Sequence, residues 1–185
     1  MNGGLDNRYR TFWPRFWAGW IDTLLFLLVL PIDSLIQVAT KNHYLLAVWF
    51  VVDTFLFVAY SVAMHARYGQ TLGKMITGVK VLDLAGGKLS LRQAFLRDSI
   101  PILLCAVAIA GALPSVLAGS DPDAGGEPTW VLALELYGSV MWFAVELLTM
   151  LSNSKRRAVH DFIAHTVVVR LSALRHVAHD DTAAT

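Results

Sequence analysis

The chain has 185 residues, 56% of them hydrophobic and 16% charged, with a mean hydropathy of +0.54, against about 45–50% apolar and about 25% charged in water-soluble domains. Fifteen Lys and Arg against fourteen Asp and Glu leave a net charge of +1, which excludes a basic nucleic-acid binder, and the composition excludes a disordered or collagen-like chain. A single cysteine, Cys105, excludes an internal disulfide.

The apolar residues are clustered into four spans, at 16–36, 45–64, 100–118 and 130–151, each close to the roughly 20 residues that cross a bilayer as a helix. The first follows Arg8, Arg10 and Arg15 but is longer than the roughly 7–15-residue core of a cleavable signal, so it is expected to be retained. Gly19 in this span is expected to let a neighbouring helix approach closely. After the second span, 69–78 reads as an interfacial helix or turn, and 79–84 with 88–91 as two short strands around Ala85-Gly86-Gly87. Asp98 or Ser99 is placed to cap the third helix, with Pro101 in its first turn. Beyond the fourth span, 159–171 is apolar but short, an amphipathic or extended segment packed under the bundle, and a polar tail follows from Ser172. The predicted fold class is therefore an all-α membrane protein, a four-transmembrane-helix bundle with a cytoplasmic segment, and in it a short β-hairpin, between helices 2 and 3. Its divisions are an N-terminal tail at 1–11, a membrane domain at 12–171 and a tail at 172–185.

Orientation follows from the basic residues, which concentrate in cytoplasmic loops. Fourteen Lys and Arg lie in the N-terminal flank, the middle segment and the C-terminal flank; Lys41 alone lies in the opposite loops. Both termini are predicted to be cytoplasmic, opposite an acidic outer loop around Asp121, Asp123 and Glu127. Trp13, Trp17, Trp20 and Trp130 stand where amphipathic rings prefer the membrane interface.

The four spans hold five acids, Asp22, Asp33, Asp53, Glu135 and Glu146, and no intramembrane Lys or Arg beyond Arg15 at the mouth. Intramembrane acids cost roughly 2.5–3.5 kcal/mol on insertion scales and mark functional sites by default. Arg15 and Asp22 are seven residues apart, nearly two helical turns, and share a face; they are expected to form a charge-coupled pair. Glu146 shares a stripe with Glu135, Ser139 and Trp142, and Asp53 with Trp49, Phe57 and Tyr60. Asp22, Asp53 and Glu146 are expected to converge on one hydrated cation or proton site, with Arg15 modulating Asp22; the alternative is a hydrogen-bonded network that only fixes helix register.

Three segments taken together, Arg15-x6-Asp22, Gly69-Gln70-Thr71-Leu72-Gly73-Lys74 and the tail from His160-Asp161 through Val169, resemble the RDD family of small bacterial membrane proteins. The resemblance covers about residues 12–170. Arg15 matches the family arginine, Asp22 its first aspartate and Asp161 its second; Gly73, Lys74 and His160 belong to the matching motifs, and His165 stands where an HDxxAGT-type tail has glycine. The resemblance implies a bacterial plasma-membrane location and, for some members, cation/proton antiport.

Gly69-x3-Gly73-Lys74 lacks the spacing and the Ser or Thr of a phosphate-binding loop. His160 and His165 are poorly spaced for a metal, and no serine or cysteine has a nucleophile's surroundings. No metal, cofactor, nucleic-acid partner or enzymatic activity is expected. Two functions remain open: proton-coupled exchange of monovalent cations, through a homodimer if one bundle is too narrow, or a non-transporting scaffold or accessory subunit that docks a partner through its basic face.

Overall fold

The structure, a computed structural model, describes residues 7–119 and 129–173. The Glu135 side chain, the acidic loop at 120–128 and the tail from 174 lie outside this description.

The first apolar run is helical as α1 (Phe12–Phe26), tightens into a 3₁₀ turn at Leu27–Val29 and resumes as α2 (Leu30–Ala39). Pro31 accounts for the break: it has no N–H for the preceding turn, and it is accommodated in the first turn of α2. Among the described residues, Phe12–Ala39 is one of three helical stretches long and apolar enough to cross a membrane, with α3 (His43–Tyr68) and α6 (Ser99–Leu117). A further helix, α7 (Thr129–Ser152), has its apolar part at Leu136–Ser152. Asn42 starts α3 by accepting the N–H groups of Tyr44 and Leu45 at 3.0 and 3.3 Å. Gly69 ends it at φ +70°, where a β-carbon would stand 2.8 Å from the Val81 carbonyl oxygen, so conformation and space both require glycine.

Between α3 and α6 lie α4 (Leu72–Ile76), β1 (Val79–Asp83) and α5 (Leu91–Arg97); after α7 come α8 (Val159–Ile163) and β2 (Thr166–Arg170). β1 does not fold back on 88–91. It pairs antiparallel with β2, in the register Val79↔Arg170, Val81↔Val168 and Asp83↔Thr166, so the fold is mostly helical with a small two-stranded sheet rather than all-α. The local hairpin fails because Ser90 caps α5: its hydroxyl accepts Gln93 N–H at 3.2 Å while Gln93 Oε1 accepts Ser90 N–H at 2.9 Å. The run Thr166–Arg170 is β-branched throughout its centre and supplies the missing partner. Val79, Val81, Leu89 and Val168 are buried on one face of the sheet, and Leu82, Val167 and Val169 pack with Tyr9 on the other. His165, directly before β2, has φ +54°, the left-handed conformation that a glycine adopts without strain.

The most extensive helix–helix contact is α3 against α6, and α4 lies on α1. The close approach to α1 is made at Ala18 rather than Gly19. A β-carbon on Gly73 would stand 2.1 Å from the Ala18 carbonyl oxygen, whereas one on Gly19 meets nothing within 4 Å. The sheet and α4 therefore gather the start of α1, the end of α3, the start of α6 and the end of α7 at one end of the helices. Trp13, Trp17 and Trp20 are exposed around the start of α1, as are Leu28, Leu35 and Leu103 along the helices, an outer surface suited to lipid.

A polar cavity beneath two aspartate anchors

The first anchor is Asp161, in the opening turn of α8, with a fully buried side chain. One carboxylate oxygen accepts Arg15 Nη1 of α1 at 2.7 Å and the Ala158 N–H at 3.0 Å; the other accepts Arg97 Nη1 from the end of α5. Arg97 Nη1 also donates to Thr166 Oγ1 at 2.7 Å. Burial alone would raise the Asp161 carboxyl, but Arg15, Arg97, His160 and the Ala158 N–H together hold it well below the usual carboxylate range. One ionised carboxylate thus joins α1, α5, α8 and the first residue of β2.

His160 sits beside this anchor. Arg15 Nη2 lies 3.1 Å from its Nε2, and since a guanidinium only donates, Nε2 accepts and Nδ1 carries the proton. Nδ1 donates to Glu146 Oε2 at 2.6 Å, and the His160 N–H donates to Glu146 Oε1 at 3.2 Å. Burial and the Arg97 charge outweigh the nearby Asp161 and Glu146 carboxylates and lower its pKa.

The second anchor is Asp22, buried within α1. It accepts Tyr60 Oη at 2.9 Å, Thr71 Oγ1 at 2.6 Å and the Gly73 N–H at 2.8 Å. Tyr60 Oη in turn accepts the Leu72 N–H at 2.8 Å. The glycine at 73 serves this anchor directly, since α4 must touch the α1 backbone for its N–H to reach Asp22.

Between the anchors lies a cavity of about 210 Å³ whose wall includes Arg15, Asp22, His65, Lys74, Arg97 and Asp98. Lys74 Nζ is 2.8 Å from His65 Nε2, and Ser61 Oγ lies 3.2 Å from His65 Nδ1 and 3.0 Å from both Asp98 carboxylate oxygens. Burial, aided by Arg97 and Arg15 and opposed by Asp98 and Asp22, pushes the Lys74 ammonium down to about 7. Burial pushes the Asp98 carboxyl up, against Ser61, Arg97, Lys74 and His160. Arg97 Nε is buried without a protein partner. Among the described residues, no group of three or more His, Cys, Asp or Glu is arranged to hold a metal ion.

The sequence expectations are thereby rearranged. The hydrogen bonds of Arg15 go to Asp161, Arg156 and His160, and those of Asp22 to Tyr60, Thr71 and Gly73, so the two are not directly paired although both line the cavity. Shared helix face set their proximity, but each met a closer partner from another element. Glu146 is engaged by His160 and borders an adjoining, more apolar cavity with Phe12, Phe16 and Trp142. Asp53 lines neither cavity, and Asp33, on α2, accepts Trp49 Nε1 at 2.9 Å. The convergence of Asp22, Asp53 and Glu146 on one site is not formed. The sequence does not mark His65, Asp98, Ser61 or Arg97 as site residues, although Ser61 and His65, four apart near the end of a span, carry the spacing of a shared helix face.

The model of the RDD family matches residues 9–165. The chain belongs to the RDD family. Over 86 residues it is 33% identical to an uncharacterized membrane protein, YteJ, of Bacillus subtilis (strain 168), a match covering 43% of this chain and 52% of that relative. The aligned part thus spans about half the length of the curated relative. No solved structure matches. In this RDD membrane protein the motif arginine and first aspartate, Arg15 and Asp22, line the cavity, and the second aspartate, Asp161, holds Arg15 and Arg97 of its wall.

Proposed function

We propose that this RDD protein exchanges protons for monovalent cations across a bacterial plasma membrane. In this reading it makes four crossings, with both termini and the 69–98 connection cytoplasmic. The observation that carries the reading is the cavity itself, where an amine and a carboxylate with displaced proton affinities, Lys74 and Asp98, share one half-buried wall. A cation entering beside Asp98 adds positive charge near Lys74 and weakens its hold on a proton. A proton returning to Lys74 repels the cation. Proton and cation thus compete for one compartment, which is the requirement for exchange. Asp22 and Asp161 frame the compartment rather than bind the ion, because their oxygens are taken by protein donors. The topology is supported by the fourteen-to-one distribution of Lys and Arg and by the gathering of four helix ends at the sheet.

The saturation of those two aspartates also favours a second reading, a non-transporting scaffold or accessory subunit whose basic face docks a partner. Proteoliposomes holding a pH-sensitive dye separate the two. Exchange predicts proton movement driven by a Na⁺, K⁺ or Li⁺ gradient and lost in Lys74→Met. The scaffold predicts none from the wild type, with folding and orientation verified.

A further inference from the structure

Four side chains on three neighbouring segments form one unbranched line of hydrogen bonds in the cavity wall. Lys74 Nζ of α4 meets His65 Nε2 at 2.8 Å, His65 Nδ1 meets Ser61 Oγ at 3.2 Å, and Ser61 Oγ meets Asp98, at the head of α6, at 3.0 Å. His65 and Ser61 are buried, and His65 Nδ1 is 4.0 Å from Asp98 Oδ2, too far to bond without the serine. Both interior members, an imidazole and a hydroxyl, donate and accept. The line is therefore complete in either direction. With Lys74 as ammonium, Nζ donates to Nε2, Nδ1–H to Ser61, and Ser61 to the Asp98 carboxylate. With Lys74 as neutral amine and Asp98 as carboxylic acid, every bond is reversed.

We propose that Lys74 and Asp98 are the two ends of a single shared-proton site, and that His65 and Ser61 pass the proton between them. In the transfer an Nζ–H bond breaks and Nε2–H forms, Nδ1–H breaks as Ser61 takes that proton, and the serine's original proton goes to Asp98. An ammonium and a carboxylate become an amine and a carboxylic acid, with His65 in its other tautomer and no net charge moved out of the site. The surrounding charges favour a balanced pair. Lys74 faces Arg15, Arg97, Asp22, Asp98 and His65, and Asp98 faces Arg97, Lys74, His65 and His160. Burial lowers Lys74 to about 7 and raises Asp98, bringing the two ends closer in proton affinity.

The physiological use of this site rests on the proton-coupled reading above, but its detection does not, since it is read without an ion gradient. The full chain in lipid nanodiscs, labelled with ¹⁵N in Lys and His side chains and ¹³C at Asp carboxyls, is titrated by NMR, with Lys74→Met and His65→Gln for assignment. While the pair holds its one proton, His65 should show both the Nδ1–H and the Nε2–H tautomer, and as that shared proton is lost to solvent the Lys74 and Asp98 signals should titrate together with one midpoint while the tautomer mixture changes. In Ser61→Ala, which alters no charge, Asp98 should fall out of step, and Ser61→Thr, which keeps the hydroxyl, should restore it. A His65 tautomer that stays fixed while Lys74 titrates, or an Asp98 signal that stays in step without the hydroxyl, overturns the proposal. Tautomer reversal in a protein that moves no cation retains the shared-proton site and removes only the transport reading.

Discussion

Asp161 illustrates how much one side chain can hold when it is buried between two guanidinium groups. Arg15 and Arg97 are themselves almost fully buried, and removing the charge between them leaves two uncompensated cations. Breaking a buried ion pair from one side costs about 3–5 kcal/mol, so Asp161→Asn should lower stability by that order in a denaturant titration in micelles. Because the folded carboxyl is held well below its ordinary value of 3.8, its contribution is complete above that value and is lost only as pH falls toward the depressed one. Lys74 works in the opposite sense. Its folded value is about 7 against an ordinary 10.5, so between the two the unfolded chain binds a proton that the folded chain does not. Stability should therefore rise with pH across that interval, and Lys74→Met should flatten the rise in melting temperature. His165 offers a gain instead: a left-handed conformation costs a residue with a side chain about 1–2 kcal/mol, and His165→Gly should raise the melting temperature, after some loss to the greater freedom of the unfolded glycine.

At the scale of elements, the pairing of β1 with β2 joins segments separated by more than eighty residues. With Cys105 replaced, cysteines at Val81 and Val168, which are directly opposite, should crosslink on mild oxidation in membranes, because opposed residues lie within the span of a disulfide. Absence of that crosslink, together with one between positions 81 and 91, would restore the local hairpin. The sequence made the apolar helices legible, since length and hydropathy are local properties, and it exposed β1 by its alternation. It read 159–171 as an amphipathic or extended segment, which is a short helix followed by a strand, and it could not name the partner of that strand, because register depends on burial of both sheet faces from distant residues. The same limit governed the site. Helical spacing put Arg15 and Asp22 on one face, yet which donor each carboxylate takes is decided by Thr71, Gly73 and Arg97, brought in by other elements. Asp22 was legible as a site candidate and Lys74 only as part of a matching motif; Ser61 and His65 share a helix face by spacing, but their link to Asp98 and Lys74 is made by other elements.

For the whole molecule, the two aspartate anchors lie where helix ends and the small sheet come together, and the cavity beside them is lined from α1, α3, α4, α5, α6, α7 and α8. Its central property in this account is competition between a proton and a monovalent cation. The most direct measurement is proton release from purified, weakly buffered protein near neutral pH when NaCl, KCl or LiCl is added, with choline chloride as the ionic-strength control. At least one of the three cations should release a proton that choline does not, and Lys74→Met should abolish the release while the protein remains folded. Wild-type protein that releases no proton to any of the three beyond the choline control would contradict it.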